Sequence, residues 1–148
     1  MKTKLPTISA LLLVLGLCVI TQAALSTSDS DQEWVNIVIV SAAFLSQDMQ
    51  DMSVAADAFD TDALANASSS LYGHSIAAKQ LSVNCTVSSD YSTSKREFEL
   101  ALDDFANAGL YGYIGATEMD ADSLELASDY MTSGSNHLTT ATDALPDE

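Results

Sequence analysis

Apolar residues recur at steps of three and four along most of this chain, which is the spacing of one face of an α-helix. Short polar breaks divide the pattern into four stretches, at about residues 31–59, 64–81, 90–117 and 122–144. Each stretch has a single apolar stripe, so each helix must bury that stripe against a neighbour. The pattern therefore predicts an all-α fold, an antiparallel up-down four-helix bundle. The expected core positions include Trp34, Val38, Leu45, Phe59, Leu64, Leu71, Leu81, Phe98, Leu102, Phe105, Leu124, Met131 and Leu138.

The second and fourth stretches begin with the same short pattern. Residues 60–68 read DTDALANAS and residues 120–128 read DADSLELAS, at an offset of 60 residues. The same offset aligns Leu45 with Phe105. The repeat predicts two similar helical hairpins packed together.

Aspartates open both copies of the repeat: Asp60 and Asp62 in the first, Asp120 and Asp122 in the second. A calcium loop of the EF-hand type would need a glycine at the sixth position and a glutamate at the twelfth, and both stretches lack them. An aspartate before a helix accepts hydrogen bonds from the unpaired amides of the first turn. We therefore interpret these aspartates as helix caps.

The first 23 residues have the layout of a secretory signal peptide. Two lysines precede an apolar core of 13 residues, 8–20, and small residues stand before a cleavage site after Ala23. This core is shorter than the about 20 apolar residues that span a membrane. We expect cleavage after Ala23, with an uncleaved anchor and lipidation at Cys18 as open alternatives. The predicted organisation is a signal segment (1–23), a flexible acidic lead-in (24–32), the bundle (33–145) and a tail (146–148).

Charge narrows the classes of partner. The chain has 5 basic and 21 acidic residues and a net charge of −16. Only Lys79, Lys95 and Arg96 follow the leader. Nucleic-acid binding needs clustered Lys and Arg to neutralise phosphates, so the composition argues against it, and against adsorption to an anionic membrane. An acidic, self-repelling surface instead favours solubility outside the cytoplasm.

The most unusual stretch is 109–115, which reads GLYGYIG. Each glycine inside a helix costs about 1 kcal/mol relative to alanine, so three at three-residue spacing need a reason. Close approach of a facing helix is one reason. The other is a small-molecule site at Gly109, Tyr111, Gly112 and Tyr113, which is our ligand-binding hypothesis.

Two histidines and one aspartate were weighed as further candidates. His74 and His137 are not part of a haem-attachment, H-x-x-x-H or E-x-x-H motif, so we expect solvated or packed side chains and no cofactor or metal. Asp48 lies near the first apolar stripe, but Met49 fills that stripe better, so we expect Asp48 to reach water. No nucleophile motif surrounds either histidine, which argues against an enzyme.

Two positions near the middle of the chain bear on modification. Asn84 precedes Cys85 and Thr86 in a glycosylation sequon within a predicted loop, and Asn66 starts a second sequon within a predicted helix. Asn84 is therefore the better candidate acceptor. If the leader is removed, Cys85 is the single cysteine and an internal disulfide cannot form.

A leader followed by four amphipathic helices resembles the layout of extracytoplasmic four-helix sensor domains. Such receptors carry a second membrane span and an output module, whereas this chain ends in TDALPDE, so direct signalling across a membrane is not expected. The leading hypothesis is a non-enzymatic structural or interaction protein, secreted or at the cell envelope. Its candidate self-association stripe is residues 37–40, IVIV, because four consecutive apolar residues cannot all face one core. The alternative is a soluble, sensor-like module that binds a small ligand.

Overall fold

The computed structural model describes residues 28–146. The predicted signal segment, its cleavage site after Ala23 and Cys18 lie outside the described residues. Within the described part the chain forms four long helices, packed against each other, and no strand. The prediction of an all-α four-helix bundle is confirmed.

The helices are α1 (Asp29–Ala58), α2 (Thr61–Asn84), α3 (Ser92–Glu118) and α4 (Ala121–Asp143). A short 3-10 turn, Ser89–Tyr91, precedes α3. The helices differ from the predicted stretches mainly at their ends. In particular, α1 begins at Asp29, so residues 29–32 of the predicted lead-in are helical, and α2 continues to Asn84 in the predicted loop.

Three helices begin at a side-chain cap. The Ser28 hydroxyl accepts from the Asp31 amide, Asp60 accepts from the Ala63 amide, and Asp120 accepts from the Asp122 amide. These bonds satisfy amides that have no partner inside the helix. The capping roles predicted for Asp60 and Asp120 are confirmed.

The two hairpin turns are built alike. Helix α1 ends at Phe59 and α3 ends at Met119, both in the left-handed region with φ of 56° and 54°. These positions are 60 residues apart, as the sequence repeat predicts. The prediction that Phe59 faces the core is wrong: its side chain is 79% exposed, because the left-handed residue turns the chain out of the helix before its stripe is complete.

The core is a column of large side chains. Trp34, Phe98, Phe105, Leu71 and Leu102 are almost fully buried. Edge-to-face ring contacts join Trp34 to Phe98 and to Tyr91, with ring centroids 6.2 and 6.0 Å apart. The packing ties α1 to α3 and to the 3-10 turn.

Polar groups inside this column are paired. The Trp34 indole donates to the Ser82 hydroxyl at 3.1 Å, and that hydroxyl donates to Glu99 at 2.9 Å. Lys95 also donates to Glu99. Because a buried donor without a partner is costly, this chain of bonds permits a tryptophan in the middle of the bundle.

Helix α3 packs closely against both α2 and α4. A methyl group on Gly109 would lie 2.6 Å from the backbone of α2, at the Ser68 oxygen. A methyl group on Gly115 would lie 2.6 Å from Leu124 of α4. The glycines of α3 therefore serve close helix approach, one of the two reasons considered for them.

Candidate interaction surface

The outward side of α1 carries large apolar side chains in solvent. Val40 is 57% exposed and Phe44, one turn further, is 53% exposed. In the run of residues 37–40, Val38 is buried, Ile37 and Ile39 are half-buried, and Val40 points outward. The run is thus divided between core and surface, as expected for four consecutive apolar residues on one helix.

Helix α2 continues this apolar surface. The Phe44 ring lies against the His74 ring, with centroids 5.1 Å apart. Leu81 follows His74 by seven residues, which places both on the same side of α2, and Leu81 is 56% exposed. The prediction that Leu81 belongs to the core is wrong, because its side of α2 lies at the border with α1. We call the surface of Val40, Phe44, His74 and Leu81 the α1–α2 outer face.

A buried carboxylate holds the histidine of this face. His74 Nδ1 donates to Asp48 Oδ2 at 2.6 Å, and Asp48 is buried whereas His74 is exposed. The expectation that Asp48 reaches water is wrong: α2 packs over it and supplies an imidazole as its partner. The bond orients the His74 ring against Phe44, leaving its other ring nitrogen on the solvent side.

Exposed carboxylates stand at both ends of the apolar positions on α1. Glu33 precedes Val40 by seven residues, and Asp51 follows Phe44 by seven, so all four share one side of the helix. Both carboxylates are exposed. Helix α1 contains no Lys or Arg along its 30 residues. The surface is therefore apolar at its centre and anionic at its ends.

The basic residues of the described part lie elsewhere. Lys79 pairs with Asp103, Lys95 with Glu99, and Arg96 with Glu97. Each of these three cations thus pairs with a carboxylate of α3. The negative charge of α1 is left without a described lysine or arginine beside it.

A second histidine–carboxylate pair lies in the other hairpin. His137 of α4 donates from Nδ1 to Glu97 Oε2 of α3 at 2.8 Å, and its Nε2 lies 4.0 Å from Asp104. Hydrogen bonds from Arg96 and from His137 lower the pKa of Glu97, although burial opposes the shift. The two histidine pairs are not related by the 60-residue offset, and each joins the two helices of its own hairpin.

No group of three or more histidine, cysteine, aspartate or glutamate side chains able to hold a metal ion occurs among residues 28–146. In the same part of the chain, the helices are too short or too polar to cross a membrane.

The structure does not bring the four residues of the ligand-binding hypothesis together around one cavity. Gly109 and Gly112 face α2, where a methyl group on Gly112 would lie 2.6 Å from the Ser68 hydroxyl. Tyr111 instead stacks on Tyr130 of α4, with ring centroids 5.7 Å apart and planes 6° from parallel. Tyr113 is exposed. The ligand-binding hypothesis stays a prediction.

A small apolar cleft lies at the other end of the bundle, between α1, α3 and α4. Its volume of about 20 Å³ is enough for roughly one water molecule. The side chains that line it are Trp34, Val35, Val38, Ser94, Phe98, Leu138, Ala141, Thr142 and Leu145.

The positions considered for modification lie at the far end of α2. Asn84 is its last residue, is exposed, and donates from its side chain to the Gln80 carbonyl. Asn66 is exposed within α2. Cys85 is a half-buried free thiol, and burial raises its pKa, which keeps it in the less reactive protonated form. Glycosylation at Asn84 stays a prediction.

Sequence reasoning found the apolar run of α1 but missed its partner on α2. The signal that could have revealed the pairing is His74 itself, a titratable residue seven positions before Leu81 on one helix side. Comparisons with protein-family models, with curated proteins and with solved structures find no match to this chain.

Proposed function

We propose that this protein is a non-enzymatic interaction protein that acts outside the cytoplasm, secreted or held at the cell envelope. The proposal of export rests on the leader of residues 1–23 and on the acidic composition. The proposal of an interaction role rests on one observation, the α1–α2 outer face.

The argument for an interaction role compares the two sides of α1. One side buries Trp34, Val38 and Leu45 in the core, whereas the opposite side leaves Val40 and Phe44 more than half exposed. Scattered apolar residues are normal on a surface, but adjoining ones on two neighbouring helices are typical of sites that another surface covers. A helical bundle with such a face needs no catalytic group in order to function.

Site-specific photo-crosslinking in the native host tests the interaction role. A photoreactive residue at position 44 should give one discrete adduct, and adding Val40→Glu should remove it. Position 126 on α4, also an exposed leucine, is the matched control and should give no such adduct. Failure to crosslink at position 44 in protein that has been exported would contradict the proposal.

Intact-mass measurement of the protein from its own host tests export. A mass matching residues 24–148 would support a released domain, and a retained leader or a lipid at Cys18 would favour the cell envelope. A protein that keeps an unmodified leader and fractionates with the cytoplasm would contradict export.

A further inference from the structure

We propose that the α1–α2 outer face binds a cationic amphipathic helix of a partner protein. This inference rests on the interaction role proposed above and specifies the chemistry of the partner. It follows from the order of charged and apolar side chains on α1 and from the positions of the described cations.

The order of side chains on α1 defines the complementary partner. Glu33, Val40, Phe44 and Asp51 follow one another on a single side of the helix at steps of seven, four and seven. At 1.5 Å per residue, each carboxylate lies about 10 Å along the helix axis from the nearest apolar side chain. A partner helix with two apolar residues one turn apart, and a lysine or arginine two turns beyond each, matches this order.

The apolar centre has the geometry of a helix-binding site. Phe44 projects beside His74, and Leu81 lies two turns further along α2, so the border between the two helices is lined by apolar and aromatic groups. Amphipathic helices bind such surfaces through apolar residues at i and i+4. Asp48 holds His74 in place from below, so this part of the surface is formed before a partner arrives.

The charge argues against a second copy of this chain as the occupant. Helix α1 contains only acidic charges, and the three described cations pair with carboxylates of α3. Two copies meeting through this face would bring carboxylates opposite carboxylates, which is unfavourable unless salt screens them. A basic partner would instead be attracted to the face and oriented by its ends.

The test uses a synthetic helical peptide of about 20 residues, which is long enough to span Glu33 to Asp51. The peptide has two leucines one turn apart, with a lysine two turns beyond each. One matched peptide replaces the lysines with glutamates, and a second keeps the lysines but replaces the leucines with serines. Fluorescence anisotropy at low and high salt measures binding to the full chain from which the leader has been removed.

The first peptide should bind more tightly than either matched peptide. Phe44→Ser should weaken its binding by about tenfold or more, because buried aromatic anchors dominate such interfaces. Glu33→Gln with Asp51→Asn should weaken binding less and reduce its dependence on salt. Leu126→Ser on α4 is the matched control and should leave binding unchanged; circular dichroism verifies the fold of every variant.

Three results would overturn the proposal. Equal weakening by Phe44→Ser and Leu126→Ser would mean that the peptide responds to net charge alone. Absence of peptide binding, with the position-44 adduct still formed in the host, would refute the cationic partner and leave the interaction role intact. A dimer seen by light scattering and abolished by Phe44→Ser would make a second copy the occupant.

Discussion

The two hairpins share a plan but differ in how their helices meet. In the α3–α4 hairpin, Gly115 and Gly134 remove side chains where the helices approach, and α3 also uses Gly109 against α2. In the α1–α2 hairpin, α1 has no glycine, and the single glycine of α2, Gly73, has open space around it. Its large residues are divided between the core and the surface. One hairpin is thus built for internal packing, whereas the other retains an exposed apolar face.

The pair Leu45 and Phe105 shows what this difference means for one position. The two residues occupy equivalent places in the repeat, and both are almost fully buried. The equivalent of His74 in the second hairpin is Gly134, and the Phe105 ring occupies the space beside it: a methyl group there would lie 2.7 Å from the ring. A larger core residue in one hairpin is therefore accompanied by a smaller one on the facing helix.

The largest expected effect breaks this packing. Phe105→Ala should lower the free energy of unfolding by about 4 kcal/mol, through lost burial and a residual cavity. Gly134→Ala alone should destabilise, but in the Phe105→Ala background it should be tolerated, because the ring that it would meet is gone. Urea unfolding of the four members of this cycle measures the coupling. Additive effects would contradict the close contact.

The next effect compares two glycines. Gly109→Ala should lower the free energy of unfolding by roughly 2 kcal/mol, because the new methyl group meets the backbone of α2 and the helices must separate. Gly73→Ala should instead raise it by about 1 kcal/mol, since it gains helix propensity with no close neighbour. Thermal and urea unfolding measure both variants. The same sign for both would mean that glycine in this chain is not placed for helix approach.

The helix caps give a smaller effect. Asp60→Ala and Asp120→Ala should each lower the free energy of unfolding by about 1 kcal/mol. Asp120 also accepts from the Ser123 hydroxyl at 2.6 Å, and this bond is the main reason that its pKa is lowered. Asp120→Ala should therefore be the more harmful of the two. Urea unfolding at neutral pH measures the difference, and a larger loss for Asp60→Ala would contradict this order.

The smallest expected effect is a pH dependence at the junction of the two hairpins. Burial of Asp31 opposes ionisation, but hydrogen bonds from Ser28 and from the Ser88 amide outweigh it and lower the pKa of Asp31. A group whose pKa is lower in the folded state stabilises the fold above its unfolded pKa, about 4, and that stability is lost as pH falls below this value.

Asp31→Asn should remove this part of the acid sensitivity. The variant should be less stable than the parent protein at pH 6, with a smaller difference at acid pH. Unfolding curves from pH 6 down to acid conditions measure the change in slope, and Asp29→Asn, on the exposed first turn, is the matched control. An unchanged slope would mean that the charge of Asp31 does not stabilise the contact with Ser88.

Much of this bundle follows from local physical chemistry, which the sequence contains directly. Helical periodicity placed Trp34, Leu71 and Phe105 in the core, because one apolar stripe on a helix has to be buried. Asp60 and Asp120 were predictable as caps because a cap bonds only to its own first turn. The similarity of the hairpins was readable because both turns recur at the same offset.

Only the tertiary structure decided which helix covers which side chain. Asp48 is buried because α2 lies over it and brings His74, a contact between residues 26 positions apart that helical periodicity on α1 alone cannot reveal. Gly109 is required by the backbone of α2, and Leu81 is exposed by the angle at which α2 meets α1. Stripes and caps depend on neighbours in the chain and are determined by the sequence, whereas partners across helices depend on the register between packed surfaces.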